Sequence, residues 1–283
     1  MRQLGDCLEK TLDVDALLKL GEKADIDALG SVTVTADGSS QKCEAQKNAD
    51  LVLQNQLSGE KISHSAIRIR LGVAWDEAFC FYYRDNLEFL EKQGVQIVRF
   101  SPVHDKHLPD DLDGLLLGGG YPELYAKALG ENETIRNEIR RKAEEDMPIL
   151  AECGGYLYLL KELKDENGTG YEMAGVFSGK GYKKGKNSHF GYITVQTERD
   201  SLYLKAGETI KGHEFHYWES TQDENELKMQ AKKPTGKRSW PCVTVKNQVM
   251  AGFPHLYYPS LEGFGERFVQ ACDRYRMKRK RQQ

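Results

Sequence analysis

The chain has 283 residues, 39% of them apolar and 29% charged, and a formal net charge of −3 at neutral pH. That length and apolar content suffice for one main domain with a sizeable core plus an appendage, and the near balance of charge excludes the strongly basic field of a nucleic-acid binder. There is no signal peptide and no apolar run long enough to cross a membrane, and six cysteines without paired spacing point to a reducing cytoplasm and to no metal site of the C-x-x-C kind.

Residues 21–66 are polar, rich in Ser, Thr, Asp, Gln and Lys, and read as a linker for which disorder is one outcome. From there the pattern changes. Ile67, Ile69, Leu71 and Val73 alternate with other residues as a first strand, and residues 85–92 have helical spacing with Leu87 and Leu90 inward. Residues 95–100 form a second strand and 115–117 a third. Residues 132–146 make an amphipathic helix through Ile135, Ile139 and Ala143, which leads into a strand at 149–152. Strands alternating with helices predict an α/β fold, a mostly parallel sheet flanked by helices. Past Tyr171 shorter strands are expected at 191–196 and 241–253, then a helix at 261–272, with the basic run 276–283 as a solvated tail.

The chemistry concentrates at glycines. Pro148-Ile149-Leu150-Ala151-Glu152-Cys153-Gly154-Gly155 delivers a cysteine from an apolar run straight into two glycines. A nucleophile in a sharp strand-to-helix turn needs small neighbours, and a helix starting near Tyr156 is expected to lower the thiol pKa through its positive end. Cys153 therefore reads as a catalytic thiol, against the plainer reading of a buried structural cysteine. A second apolar run ends in Gly118-Gly119-Gly120-Tyr121-Pro122-Glu123. Amides near Gly119, Gly120 and Gly154 are candidates for holding an oxyanion, with a plain tight turn as the alternative, and Glu123 suits a helix cap. His255, after a short apolar strand and Pro254, is the candidate base. His213 and His216 compete, and with Glu214 they sit on a probable strand where substrate contact and a polar core network are both open. For Glu152, next to the thiol, closing a polar network is the reading. Asp76, Glu77 and the aromatic cluster Phe79, Phe81, Tyr82 and Tyr83 divide between a cap with core packing and a face toward a partner or a tetrapyrrole.

Five ordered motifs carry a resemblance: Val73 to Tyr83, Leu117 to Glu123, Ala151 to Gly155, Gly212-His213-Glu214-Phe215-His216-Tyr217 and the His255 segment. Together, over roughly residues 67–275, they resemble the glutamine amidotransferase domain of the cobyrinate a,c-diamide synthase family. The resemblance implies a class I, triad-type glutaminase fold with Cys153 as nucleophile and His255 as base. Glutamine would be the ammonia source, and cobyrinate would be reached through an ATPase domain or subunit that uses ATP and Mg. Class I glutaminases carry a glutamate two residues after the histidine. This chain has Tyr257 there, as in the cobyrinate branch, so the group orienting His255 is left open.

No G-x-x-x-x-G-K-[S/T] phosphate loop occurs in the 283 residues. In the family's terms, residues 1–20 resemble the closing helix of the ATPase domain, and a truncated product, a split subunit or an excised piece are all open. No cofactor is expected on this chain, and a homo-oligomer is left open. A different acceptor, such as nickel sirohydrochlorin, is one alternative function. A non-catalytic docking module for a separate ATPase is another. The motif from Trp75 to Tyr83 favours the diamide-synthase type over cobyric acid synthase.

Overall fold

The structure, a computed structural model, describes residues 69–282 apart from 186–188, 223–226, 236–237 and 262. The expected N-terminal helix, the linker and Ile67 lie outside these residues. The chain runs β1 (Ile69–Ala74), α1 (Arg84–Lys92), β2 (Val95–Phe100), β3 (Gly114–Leu117), a 3-10 turn (Pro122–Tyr125), α2 (Ala126–Glu131), α3 (Glu133–Glu144), β4 (Ile149–Glu152) and α4 (Gly154–Leu159). Then come β5 (Glu162–Lys164), β6 (Gly170–Glu172), β7 (Lys180–Lys183), β8 (Phe190–Gln196), β9 (Thr209–Phe215), β10 (Trp218–Ser220), β11 (Leu227–Lys232), β12 (Ser239–Lys246), β13 (Val249–Gly252) and β14 (His255–Leu256), before the closing helix α5 (Phe264–Gln282).

The fold is α/β, and its main sheet is mixed. The order is β14-β9-β8-β11-β12-β13-β4-β3-β1-β2. Pairing is parallel from β2 through β1, β3 and β4 to β13, and antiparallel from there outward. A small second sheet, β10-β7-β5-β6, lies beside it. The parallel half is covered on both faces, as crossover helices require. Leu115 and Leu117 of β3, Ile149 and Ala151 of β4, and Val249 and Ala251 of β13 enter one core with Ile135, Ile139 and Ala143 of α3. Leu116, Leu150 and Met250, the alternate residues, enter a second core with Phe264, Phe268 and Ala271 of α5. Ile135 and Ile139 are fully buried, and each contributes about 1.5–3 kcal/mol of transfer free energy.

Double coverage also changes β1: from Leu71 to Ala74 every residue is buried, so the expected alternation of inside and outside is replaced by two insides. The expected strand at 241–253 is a hairpin, β12 and β13, closed by a turn in which Asn247 takes φ 53°, a left-handed conformation that Asn tolerates. The last helix does not stop at Cys272. It runs on through the basic segment, where Arg276 is buried and the Arg279 guanidinium donates to Asp111 Oδ1 (2.9 Å) and Asp113 Oδ1 (3.1 Å). The basic run is thus helical and anchored at Arg276 and Arg279, while Lys278, Lys280 and Arg281 are exposed, as expected of a solvated end.

Candidate active site

β4 lies between β3 and β13 with Leu117 opposite Ala151 and Glu152 opposite Gly252, so three strand ends open at one place at the carboxyl edge of the sheet. At that edge the Cys153 N–H donates to the Gly252 carbonyl (2.8 Å), and α4 begins at once with the Leu157 N–H on the Cys153 carbonyl (3.1 Å). The chain turns this fast because Cys153 adopts φ 49°, ψ −101°. A non-glycine residue there stores strain of about 1–3 kcal/mol, and such strain gathers at functional sites. Gly155 makes the turn possible: a Cβ on it would stand 2.1 Å from the Leu117 carbonyl oxygen, and its N–H donates to the Gly118 carbonyl (2.8 Å).

His255 reaches the same place from β14, three residues beyond the carbonyl that holds Cys153. It is buried, with its ring edge-on to Phe81 (centroids 4.6 Å apart) and its Cε1 over Gly119, where any Cβ would come within 2.3 Å. The segment after it is clamped. Asn86 of α1 donates to the Leu256 carbonyl (2.7 Å) and accepts from the Tyr258 N–H (2.9 Å). Glu152 Oε1 accepts from the Leu256 N–H (3.3 Å) and the Tyr258 hydroxyl (3.1 Å). Glu152 Oε2 stands 3.8 Å from His255 Nδ1. Tyr257 points its hydroxyl to Asp85 (3.1 Å) instead.

The thiol pKa runs opposite to the sequence expectation. Burial pushes Cys153 up to about 12, the Glu123 carboxylate adds to the rise, and the Gly154 N–H opposes both without reversing them. Burial likewise pulls His255 down to about 3, with His213 and His216 adding to the fall. A six-residue helix supplies too little positive potential to overcome desolvation. The resting pair is therefore neutral thiol and neutral imidazole. Alkylation of Cys153 by iodoacetamide should keep rising between about pH 7 and 9, roughly tenfold per unit, because the thiolate reacts and its fraction grows with pH. Mass-spectrometric rates over that range check this, and a plateau near pH 7 would show a preformed thiolate.

Of the glycines expected near an oxyanion, Gly119 has its N–H engaged on the Phe81 carbonyl (3.2 Å). Its observed part is to admit the His255 ring. Gly120 and Gly154 meet across the turn, a Cβ on Gly154 falling 3.1 Å from the Gly120 nitrogen, and the Gly154 N–H already points to the Cys153 sulfur. Glu123, in the 3-10 turn packed on Gly154, is buried and pushed up to about 7 by desolvation. It caps no α-helix.

His213 is the register partner of His255 across β9 and β14, and it also touches Phe190 and Tyr192 on the exposed face of β8. Glu214 and His216 turn the other way, into a buried network. His216 Nδ1 bonds the Trp218 carbonyl (2.6 Å), its Nε2 meets Glu214 Oε1 (3.2 Å), and the Trp240 indole donates to Glu214 Oε2 (2.9 Å). Phe253 stacks on His216 at 3.9 Å. With His189 these two form the one group among the described residues whose His and carboxylate ligand atoms lie within 4.8 Å of one another. The bond between Glu214 and His216 accounts for it as part of a buried hydrogen-bonded network. Asp76 is structural: its carboxylate accepts from the Ala78 and Phe79 N–H groups and from Ser101 and Val103. Tyr82 holds the glycine turn, donating to the Ala74 carbonyl and accepting from the Gly118 N–H (2.9 Å). Sequence reasoning passed over Asn86, whose only signal was a polar residue on the inward side of a helix.

A model of the CobB/CobQ-like glutamine amidotransferase domain matches residues 70–261. The chain is 38% identical over 209 residues to a cobyrinate a,c-diamide synthase of Caldanaerobacter subterraneus subsp. tengcongensis, covering 74% of this chain and 46% of that protein. It is 34% identical over 270 residues to one of Picrophilus torridus, covering 95% and 52%. The chain thus spans about half the length of these relatives. Among solved structures, PurLQS from Thermotoga maritima superposes with a TM-score of 0.51 at 18% identity, covering 74% of this chain and 99% of that one, a likeness of fold. No helix among the described residues is long and apolar enough to cross a membrane.

Proposed function

This chain belongs to the CobB/CobQ-like glutamine amidotransferase family, and we propose that it hydrolyses glutamine at Cys153 and hands the ammonia to an ATP-dependent partner that amidates the a- and c-carboxylates of cobyrinate. The observation that carries the glutaminase reading is the placement of Cys153. It is the described cysteine held at positive φ, at the carboxyl edge of the sheet and beside the segment that bears His255. The acceptor is inferred from the relatives named cobyrinate a,c-diamide synthase.

His255 takes the thiol proton as the sulfur attacks the carboxamide carbon of glutamine. The oxygen of the tetrahedral adduct carries the negative charge, and the Gly120 and Gly154 amides are the donors assigned to it. The imidazolium then protonates the departing nitrogen, ammonia leaves, and water attacking the glutamyl thioester releases glutamate and regenerates the thiol. ATP and magnesium, needed to activate the acceptor carboxylate, are assigned to the partner domain or subunit, and the setting is cytoplasmic. A docking module without chemistry would have no use for strain at Cys153.

Purified chain supplied with glutamine should release glutamate slowly, because thiol and imidazole rest neutral. It should release it faster with the ATP-dependent domain of a cobyrinate a,c-diamide synthase present. With cobyrinate, ATP and magnesium added, mass spectrometry should detect the diamide. Glutamate release absent under every condition sinks the glutaminase reading, and release without diamide sinks the acceptor.

A further inference from the structure

Of the buried side-chain nitrogens and oxygens among the described residues, His255 Nδ1 is one of few without a hydrogen-bond partner. A neutral imidazole must keep its proton on one nitrogen, and which one depends on what faces the ring. Among the described residues no carboxylate other than Glu152 comes within ion-pair distance of His255, with Oε2 at 3.8 Å from Nδ1. The other oxygen of Glu152 is fixed by the Leu256 N–H and the Tyr258 hydroxyl, so the carboxyl group cannot swing away. The remaining neighbours are committed elsewhere: His216 to Trp218 and Glu214, Tyr257 to Asp85.

We propose that Glu152 is the positioning residue of this site: its carboxylate accepts the Nδ1–H of His255 and leaves Nε2 as the nitrogen that takes the proton of Cys153. A contraction of less than 1 Å closes the hydrogen bond, and sites of this kind tighten when substrate enters. The step balances without any added group. The thiol proton moves to Nε2, the sulfur electron pair forms the bond to the carboxamide carbon, and the imidazolium so formed lies against the negative charge of Glu152. The last residue of β4 thus supplies the group that orients the base, and the residue after the strand supplies the nucleophile.

Around this pair stand Tyr258 and Cys153, Tyr82 and Tyr83 from the segment after β1, His213 from β9 and His216 just past its end. Burial raises the Glu152 carboxyl to about 8, so the accepting carboxylate predominates above that pH and the protonated acid below it. Glutamine turnover should rise with pH through about 8 in the wild-type chain.

Glu152→Gln is the discriminating variant. Its amide oxygen can keep the bonds to Leu256 and Tyr258, while its NH2 group takes the place of Oε2 and donates toward Nδ1, which forces the proton onto Nε2. We expect glutamate release to fall on the order of 100- to 10,000-fold with unchanged thermal unfolding, and the rise near pH 8 to vanish. Nitrogen-15 spectra of His255 at pH 9 in the full chain should show the Nδ1–H tautomer in the wild type and Nε2–H in the variant. A wild-type Nε2–H tautomer, or full activity in Glu152→Gln, overturns the proposal. This assignment rests on the glutaminase reading for its consequence but not for its test: tautomers that switch in a chain that never releases glutamate would sink that reading and leave the Glu152–His255 contact standing.

Discussion

Cys153→Ser should lower glutamate release by on the order of 1,000- to 1,000,000-fold, the range lost when a covalent nucleophile is replaced. Serine keeps the size of the side chain, so the φ 49° turn, the Cys153 N–H bond to Gly252 and the first turn of α4 all survive. What it loses is the more acidic, more nucleophilic sulfur. The described cysteines make the contrast sharp: Cys80 is exposed, while Cys242 and Cys272 are buried in the second core with Met229 and Phe268. Alanine at Cys80 should leave turnover within about twofold, and at Cys242 or Cys272 it should cost stability rather than activity. A discontinuous glutaminase assay with thermal melts of the same samples separates the two classes. Turnover near wild type in Cys153→Ser would move the nucleophile elsewhere.

His255→Ala should be nearly as damaging, on the order of 10,000-fold or more in turnover, since nucleophile and base act as one unit. The control is His213→Ala. His213 faces His255 across β9 and β14, yet its ring lies among Phe190 and Tyr192 on a face open to solvent. Its loss should reach turnover only through the electrostatic effect by which it lowers His255, about tenfold or less. Steady-state rates with glutamine for the two variants decide between them, and a larger loss in His213→Ala would name the wrong histidine as base. Removing the His255 ring also opens a space over Gly119, so the melting temperature of His255→Ala should be read beside its rate.

The strands and helices of the parallel half were legible because burial there leaves periodic marks. Ile135, Ile139 and Ala143 recur at helical spacing and do line one core, and the short apolar runs at 95–100, 115–117 and 149–152 became strands. The elbow was legible too, since only glycine fits at position 155, where any Cβ would fall 2.1 Å from the Leu117 carbonyl oxygen. The antiparallel half was read less well. Its short strands alternate weakly, and the Asn247-Gln248 turn between β12 and β13 lacks the glycine that usually announces a hairpin.

The sequence by itself determined which residues are candidates for the chemistry, because thiol, imidazole and flanking glycines are local properties of Cys153, His255, Gly154 and Gly155. Only the tertiary structure decided their state and their partners. Desolvation depends on everything packed around a group, so the rise of the Cys153 thiol and the fall of the His255 imidazole could not be read from neighbours in sequence. The Glu152 contact with a histidine 103 positions away exists because β4 and β13 pair in parallel with Glu152 opposite Gly252. Gly119 likewise belongs beneath the His255 ring because the fold brings the ends of β3 and β13 to one edge, and sequence distance carries no trace of that approach.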